Sequence, residues 1–109
     1  MSQAISLIAY PVTDMDAATK LYSTFLGVEP YFTSGYYSGF RIGDQEVGLV
    51  KGQNGIIAYV DVTDIKASLQ ALLDAGAQLH HDVHDVANGL LIATVKDANG
   101  SVIGLRQQS

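Results

Sequence analysis

The sequence predicts an α+β protein built from two tandem βαβββ modules. Three observations lead to this prediction. Residues 12–17 (VTDMDA) recur as residues 62–67 (VTDIKA), 50 positions later. Each copy follows an apolar, strand-like run and precedes a stretch with helical spacing, and each is then followed by three β-type runs separated by turn residues. An internal duplication of this kind indicates the architecture more strongly than local propensity does.

The first half opens with an apolar strand over residues 5–10. Thr13 and Asp14 can accept hydrogen bonds from the first turn of a helix, so a helix is expected to start there. Its apolar residues recur at three- and four-residue steps from Met15 to Phe25, and Gly27 is a plausible stop. Strands are predicted at about 31–33, 36–42 and 46–50, with a hairpin turn at residues 43–45.

The second half repeats this order. A strand over residues 56–62 leads to a helix that starts after Thr63-Asp64 and ends at Gly76, and strands are predicted at about 78–84, 90–95 and 101–106. The polar, glycine-rich linker 51–55 is the expected boundary. Because each half has only about 50 residues, too few to bury a sheet alone, we expect one domain over 1–109 made of modules at about 1–52 and 53–109.

The composition excludes several classes of function. The 109 residues include 48% hydrophobic and 16% charged residues and carry a net charge of −5, which indicates a globular chain. With no cysteine, there is no disulfide, thiolate metal site or cysteine nucleophile. Six cationic side chains are too few for a nucleic-acid partner. No segment approaches the roughly 20 apolar residues of a membrane span, and we expect a cytoplasmic protein with no membrane partner.

The repeated βαβββ pattern resembles the vicinal oxygen chelate superfamily, which includes glyoxalases, bleomycin-resistance proteins and extradiol dioxygenases. The resemblance covers nearly the whole chain. It is carried by Val-Thr-Asp at both strand-to-helix junctions, by residues 26–28 (LGV) at the end of the first helix, and by residues 97–100 (DANG) before the last strand. The resemblance implies a curved mixed sheet or half-barrel with the helices outside, a cavity formed by that sheet, and a homodimer.

The residues at the family's metal-ligand positions cannot bind a metal. Metal-dependent members place a ligand in the first and last strand of each module, and counting from the repeated motifs puts these positions at Leu7, Gly48, Ile57 and Gly104. Leucine and isoleucine have no lone pair to donate, and glycine has no side chain. We therefore expect no metal and no cofactor.

Strand alternation then assigns the residues of the expected cavity. Residues at every second position from the four counted ones share their face of the sheet and line the cavity. The residues between them are apolar and are expected to pack beneath the helices. Phe40 and Ile42 are expected in that core, and Ile103 shares its parity. The predicted ligand-binding residues are Leu7, Tyr37, Arg41, Glu46, Gly48, Ile57, Tyr59, Gly104 and Arg106.

Residues 80–84 (HHDVH) are the alternative candidate site. Three histidines in five residues suggest zinc, but in a strand His80 and His84 would lie about 13 Å apart along the chain, too far for one ion. A solvated strand or loop is the favoured interpretation. A histidine with Asp82 or Asp85 could still act as an acid–base group.

The resulting hypothesis is metal-independent binding or sequestration of a small organic molecule, aromatic or cationic, similar to the bleomycin-resistance branch. An apolar, aromatic lining suits such a ligand. The first alternative is a glyoxalase-like lyase or isomerase with a displaced metal site or with acid–base residues such as His81, Glu46 or Asp61. The second is a structural or interaction subunit whose pocket is filled by its own side chains.

Overall fold

The computed structural model describes residues 3–108, which form two helices and eight strands. The α+β class and the tandem βαβββ order are confirmed. Residues 6–57 form one compact unit, called the first module below, and residues 58–108 together with residues 3–5 form the other, called the second module. The elements in chain order are β1 Ile5–Val12, α1 Met15–Leu26, β2 Phe32–Thr33, β3 Tyr37–Ile42, β4 Gln45–Lys51, β5 Ile57–Asp61, α2 Ile65–Asp74, β6 Gln78–Ala87, β7 Leu90–Lys96 and β8 Val102–Gln107.

The two modules have the same strand topology. In the first, the strand order is β2-β3-β4-β1, with β1 parallel to β4 and the other pairs antiparallel. In the second, the order is β6-β7-β8-β5, with β5 parallel to β8. In each module the helix connects the first strand to the far edge of the sheet. The duplication seen in the sequence is therefore a duplication of the fold.

Both helices begin where the repeated motif predicts. The Asp14 side chain accepts a hydrogen bond from Ala17 N at 3.1 Å, and the Asp64 side chain accepts one from Ala67 N at 3.2 Å. Helix α1 ends at Gly27, whose φ of 75° is the left-handed conformation that glycine adopts without strain. Helix α2 ends two residues before the expected Gly76. Among residues 3–108 no helix has the combined length and hydropathy needed to cross a bilayer.

Each module has its own apolar core beneath its helix. In the first module Met15, Phe40 and Leu49 are buried, and Tyr10 and Val47 pack against them. The second core contains the buried residues Val62, Ile65, Leu69, Ala93, Val95 and Leu105. The predicted core parity holds at most positions.

Ile42 and Ile103 were expected in these cores but are 38% and 39% exposed. Ile42 is the last residue of β3, directly before the β3–β4 turn. Ile103 lies near the start of β8. Side chains at strand ends project beyond the area that a 10- or 12-residue helix covers, so parity alone overestimates their burial.

One strand differs from the sequence-based expectation, and the linker 51–55 is held by hydrogen bonds. The Gln53 amide donates to Ala9 O at 2.9 Å and to Gly55 O at 2.8 Å, so the linker is fastened to β1. Strand β6 continues to Ala87, three residues beyond its predicted end. Register shifts between Leu79 and His81, His81 and His84, and Asp85 and Ala87 interrupt its pairing with β7.

Candidate functional site

The four positions that the resemblance predicts for metal ligands are all buried. Leu7 is 6% exposed and Ile57 is 7% exposed. Gly48 and Gly104 are also buried, in β4 and β8. These positions thus present hydrocarbon or backbone, as the sequence predicts.

The two glycines are covered by tyrosine rings of their own modules. A Cβ at Gly48 would lie 2.7 Å from Oη and 2.9 Å from Cε1 of Tyr37. A Cβ at Gly104 would overlap Cδ2 and Cε2 of Tyr59. Tyr59 is directly opposite Gly104 across the β5–β8 pair, whereas Tyr37 reaches Gly48 diagonally, because its own partner in β4 is Val50. The space made by each glycine is therefore used by a phenol ring.

These residues do not fit the family's metal. A divalent catalytic site needs several carboxylate oxygens or imidazole nitrogens that converge on one point. The four homologous side chains offer none, and within residues 3–108 no group of three His, Cys, Asp or Glu side chains could hold a metal ion.

Arg106 forms an ion pair with Asp61 at the end of β5. The two residues are register partners on the parallel strands β5 and β8. Arg106 Nε donates to Asp61 Oδ1 at 2.6 Å, and Nη2 donates to Oδ2 at 3.1 Å. The Arg106 side chain is 7% exposed and that of Asp61 is 40% exposed. The bidentate geometry fixes both groups. Arg106, which was predicted to contact a ligand, therefore binds a carboxylate of its own chain.

Three further predicted residues belong to a more open surface in the first module, which we call the aromatic face. It consists of Tyr31, Phe32, Tyr37, Arg41 and Glu46 on strands β2 to β4 and the residue preceding β2. Arg41 and Glu46 are register partners. Phe32 pairs with Gly39, which lies between Tyr37 and Arg41 in β3. Tyr31 and Phe32 are 49% and 53% exposed, while Glu46 is 8% exposed. Half-exposed rings thus surround a buried carboxylate.

Glu46 organises the charges of the aromatic face. Tyr31 Oη donates to Glu46 Oε1 at 2.9 Å, and Arg41 Nη2 lies 3.6 Å from the same oxygen. The Arg41 guanidinium carbon is 4.5 Å from the centroid of the Tyr31 ring, within the range of cation–π attraction. The Phe32 and Tyr37 rings are 6.4 Å apart. The face therefore holds a planar cation on an aromatic ring beside a carboxylate.

The Tyr31 phenol stays protonated to a higher pH than an ordinary tyrosine does. Burial raises the pKa of Tyr31, and the neighbouring Tyr37 and Glu46 raise it further. At neutral pH the phenol is therefore a hydrogen-bond donor, and its partner Glu46 is the acceptor.

Tyr31 and Phe32 were missed in the sequence-based assignment. Strand β2 has only two residues, which is too short for alternation to identify its faces. The available signal is Gly39, which has the parity of Tyr37 and Arg41 in β3. A Cβ at Gly39 would lie 2.7 Å from Cζ and Oη of Tyr31, so this small residue marks where a ring from the adjacent strand must pack.

The three histidines lie on β6, the outermost strand of the second module. The rings of His80 and His81 are 4.3 Å apart, and those of His81 and His84 are 6.4 Å apart. The register shift between His81 and His84 sets four residues of β6, 81–84, against three of β7, 92–94, and shortens the row. His80 Nδ1 lies 2.9 Å from Thr94 Oγ1.

The residues of the acid–base alternative do not form a cluster within the second module. Strands β8 and β7 lie between β5, which carries Asp61, and β6, which carries His81. At about 4.8 Å per strand the two strands are roughly 14 Å apart. Asp61 is also engaged with Arg106, as described above.

Comparison with solved structures shows similarity over the whole chain. A hypothetical protein from Bacillus halodurans is 16% identical, with a TM-score of 0.83 and coverage of 100% of this chain and 96% of that one. A glyoxalase/bleomycin resistance/dioxygenase superfamily member from Vibrio splendidus is 14% identical, with a TM-score of 0.74 and coverage of 98% and 100%. Methylmalonyl-CoA epimerase from Mycobacterium tuberculosis is 16% identical, with a TM-score of 0.75 and coverage of 100% and 93%.

Neither a family model nor a curated protein matches the sequence. Identities of this size establish the fold and leave the activity open. The two βαβββ modules, their shared strand order and these structural neighbours together show that the chain has the vicinal oxygen chelate fold.

Proposed function

We propose that the chain binds or sequesters a small planar organic cation without a metal, and that the ligand stacks on the aromatic face. The observation that carries this proposal is the placement of Arg41, whose guanidinium lies over the Tyr31 ring and near the Glu46 carboxylate. A guanidinium is itself a small planar cation. The site that accepts it has the chemistry to accept an aromatic cation of similar shape.

Arg41 can leave this position at small cost. Its side chain is 57% exposed, and its 3.6 Å approach to Glu46 is longer than a charge-assisted hydrogen bond. An incoming ligand would move Arg41 into solvent, cover the half-exposed Tyr31 and Phe32 rings, and present its positive charge to Glu46. The net charge of −5 favours the approach of a cation over that of an anion.

A fluorescence titration with 9-aminoacridine, a planar cation at neutral pH, tests the proposal. Glu46→Gln keeps an acceptor for Tyr31 and removes the charge, so affinity should fall about tenfold, the loss of one charge-assisted contact. Arg41→Ala should strengthen binding because the competing side chain is gone. The matched control is Tyr36→Leu, which removes a tyrosine that is 78% exposed and has the opposite parity to Tyr37.

Two outcomes would contradict the proposal. If anthracene-9-carboxylate, a planar anion, binds more tightly than 9-aminoacridine and Arg41→Ala abolishes its binding, Arg41 is a clamp for anions. If Tyr36→Leu and Glu46→Gln reduce affinity equally, the ligand is not on the aromatic face.

A second candidate function is favoured by the sheet face of the second module. Tyr59 fills the space at Gly104, and the Arg106–Asp61 pair closes the end of β5. These contacts agree with a structural or interaction subunit whose pocket is occupied by its own side chains. Failure of 9-aminoacridine and of the planar anion to bind would favour this function.

A lyase or isomerase remains the weakest of the three candidate functions. The solved neighbours include an epimerase, but Glu46 already accepts from Tyr31 and Asp61 is engaged with Arg106. A general base must reach the proton that it abstracts. Glu46 would first have to release the Tyr31 hydroxyl, and Asp61 would have to release the Arg106 guanidinium.

A further inference from the structure

The second module contains a groove that the proposed ligand site does not use. It lies between α2 and β6, has a volume of about 700 Å³, and is called the α2–β6 groove below. This volume is within the range of about 300–1,000 Å³ that is usual for small-molecule sites. Its lining residues all fall between Lys66 and Leu91, so it shares no residue with the aromatic face.

The floor of the groove is aliphatic. Leu69 of α2 is 7% exposed and belongs to the second core, against which Leu73, Val83 and Leu91 pack. Leu79 lies at the margin and is 49% exposed. The aromatic side chain among the lining residues is His84 alone. A flexible hydrocarbon chain fits such a floor better than a flat ring system, because it gains from burial without needing a stacking partner.

The rim of the groove is polar and carries more negative than positive charge. Its exposed lining residues include Asp82 and Asp85 of β6 and Lys66 and Gln70 of α2. Asp82 Oδ1 accepts from Val83 N at 2.7 Å, and Asp85 Oδ2 accepts from Gly89 N at 3.0 Å, so backbone contacts hold both carboxylates in place. Two fixed carboxylates against one lysine favour a cationic head group.

His84 adds a hydrogen-bond acceptor to this rim. Its Nδ1 lies 2.8 Å from the carbonyl oxygen of Asp82. A carbonyl oxygen only accepts, so Nδ1 carries the proton, and in the neutral ring Nε2 is left as an acceptor. An ammonium group is a cation that only donates hydrogen bonds, so it suits a rim that offers this acceptor and carboxylates.

The shape of β6 argues against an extended peptide as the occupant. A peptide that adds a strand needs a regular row of backbone donors and acceptors along an edge. The three register shifts between Leu79 and Ala87 interrupt the regularity of β6. Bulged edges of this kind disfavour pairing with another chain.

We propose that the α2–β6 groove is a second binding site, specific for a linear amphipathic amine. The hydrocarbon chain lies on the leucine floor between α2 and β6. The ammonium group lies at the rim, where Asp82 and Asp85 supply negative charge and Nε2 of His84 supplies an acceptor. This site is independent of the aromatic face, and its ligand is flexible and aliphatic rather than planar.

Chemical-shift mapping of the full chain with three eight-carbon probes tests the proposal. Octylammonium should give saturable shifts confined to amides of α2, β6 and β7, with a Kd below about 1 mM. Octanol, which lacks the charge, should bind more weakly, and octanoate should bind most weakly of the three. Shifts on β2 to β4, no saturation, or octanoate binding as tightly as octylammonium would overturn the proposal.

Two double variants separate the rim from general charge effects. Asp82→Asn with Asp85→Asn should lower octylammonium affinity about tenfold. Asp16→Asn with Asp44→Asn makes the same charge change at exposed positions of the first module and should leave the affinity within about twofold of the original. Equal losses would contradict a localised site. If the rim variant does not fold, the comparison of the three probes on the unaltered chain still decides the question.

The aromatic face provides the independent control. The rim variant should bind 9-aminoacridine with unchanged affinity, and Glu46→Gln should bind octylammonium with unchanged affinity. Competition between the two probes would show that they share one site and would overturn the claim of a second one.

Discussion

At the scale of single residues, the pairing of a glycine with a tyrosine ring is the feature that most affects function. Gly48 and Gly104 are two of the positions that the resemblance predicts for metal ligands, and each accommodates a ring that is supplied from a neighbouring strand. The glycine allows the ring to lie flat against the sheet, and the ring covers backbone that glycine would otherwise expose. Each residue type therefore requires the other.

Gly104→Ala is expected to destabilise the protein because the new methyl group would overlap the Tyr59 ring. The free energy of unfolding should fall by about 1–3 kcal/mol, the usual cost of overpacking, as measured by urea denaturation. Gly35→Ala is the matched control, since a Cβ at Gly35 would meet nothing within 4 Å, and its effect should be below about 0.5 kcal/mol.

The same pair can be tested by a double-mutant cycle. If the ring is the cause, Gly104→Ala should cost little in a Tyr59→Ala background, and the two substitutions should show a strong coupling. Equal costs in both backgrounds would mean that the strain arises in the backbone of β8 and not at the ring.

The residue types at the four counted positions can be read from the sequence, but their surroundings cannot. Counting from the repeated motif places Leu7 and Ile57 on buried strand positions, because strand alternation is regular there. The sequence cannot show whether the space above Gly48 and Gly104 receives a ligand or a side chain. That outcome depends on the rotamers of Tyr37 and Tyr59, which no local pattern encodes.

At the scale of elements, the helix N-caps could be predicted from the sequence, but the β-bulges of β6 could not. Asp14 and Asp64 accept from the backbone three residues later, which is the local geometry that their position before each helix indicates. Strand β6 departs from regular pairing at three places, because its register is set by β7 and by the hairpin turn at Asn88. Asn88 has a φ of 49°, in the left-handed region that asparagine tolerates.

The histidine row on β6 should make stability depend on pH. Partial desolvation lowers the pKa of His80, and the charges of His81 and Lys96 act in the same direction. The unfolded chain therefore binds this proton more readily than the folded one. The stabilising contribution is present above the ordinary pKa of 6.5 and is lost as pH falls through the lower pKa of the folded state.

Urea denaturation between about pH 5 and pH 8 measures this dependence. His80→Gln should reduce the decline in the free energy of unfolding at acid pH. Lys96→Gln should reduce it in part, whereas Lys20→Gln, a change on α1 in the first module, should not. If the free energy of unfolding declines equally at acid pH in the His80→Gln variant, other groups cause the pH dependence.

At the scale of the whole molecule, the sequence repeat allowed the order of elements to be predicted almost completely, whereas the pairing of the strands came from the structure. Both modules have the same order of elements and the same single parallel strand pair. The repeat is short, but it falls at the strand-to-helix junction, where a local motif also fixes the direction of the chain. The aromatic face lies in β2 to β4, outside the repeated segment, so the repeat gave no information about it.

The expectation of one folding domain remains a prediction from size. A module of about 50 residues buries too little surface for independent stability. Calorimetry of the full chain should therefore show a single unfolding transition, and Gly104→Ala should shift all of it to lower temperature. Two transitions, with only one displaced by that substitution, would mean that the modules unfold separately. The homodimer is a further prediction, which sedimentation of the full chain would check.

The tyrosine rings above Gly48 and Gly104 also set a condition for protein engineering. Installing a metal centre in this scaffold would take more than writing carboxylates or imidazoles at positions 7, 48, 57 and 104. Each donor introduced at a glycine would collide with a phenol, so Tyr37 and Tyr59 would have to be replaced by smaller residues at the same time. Metal binding would therefore require several replacements made together, and no single substitution at these positions should create it.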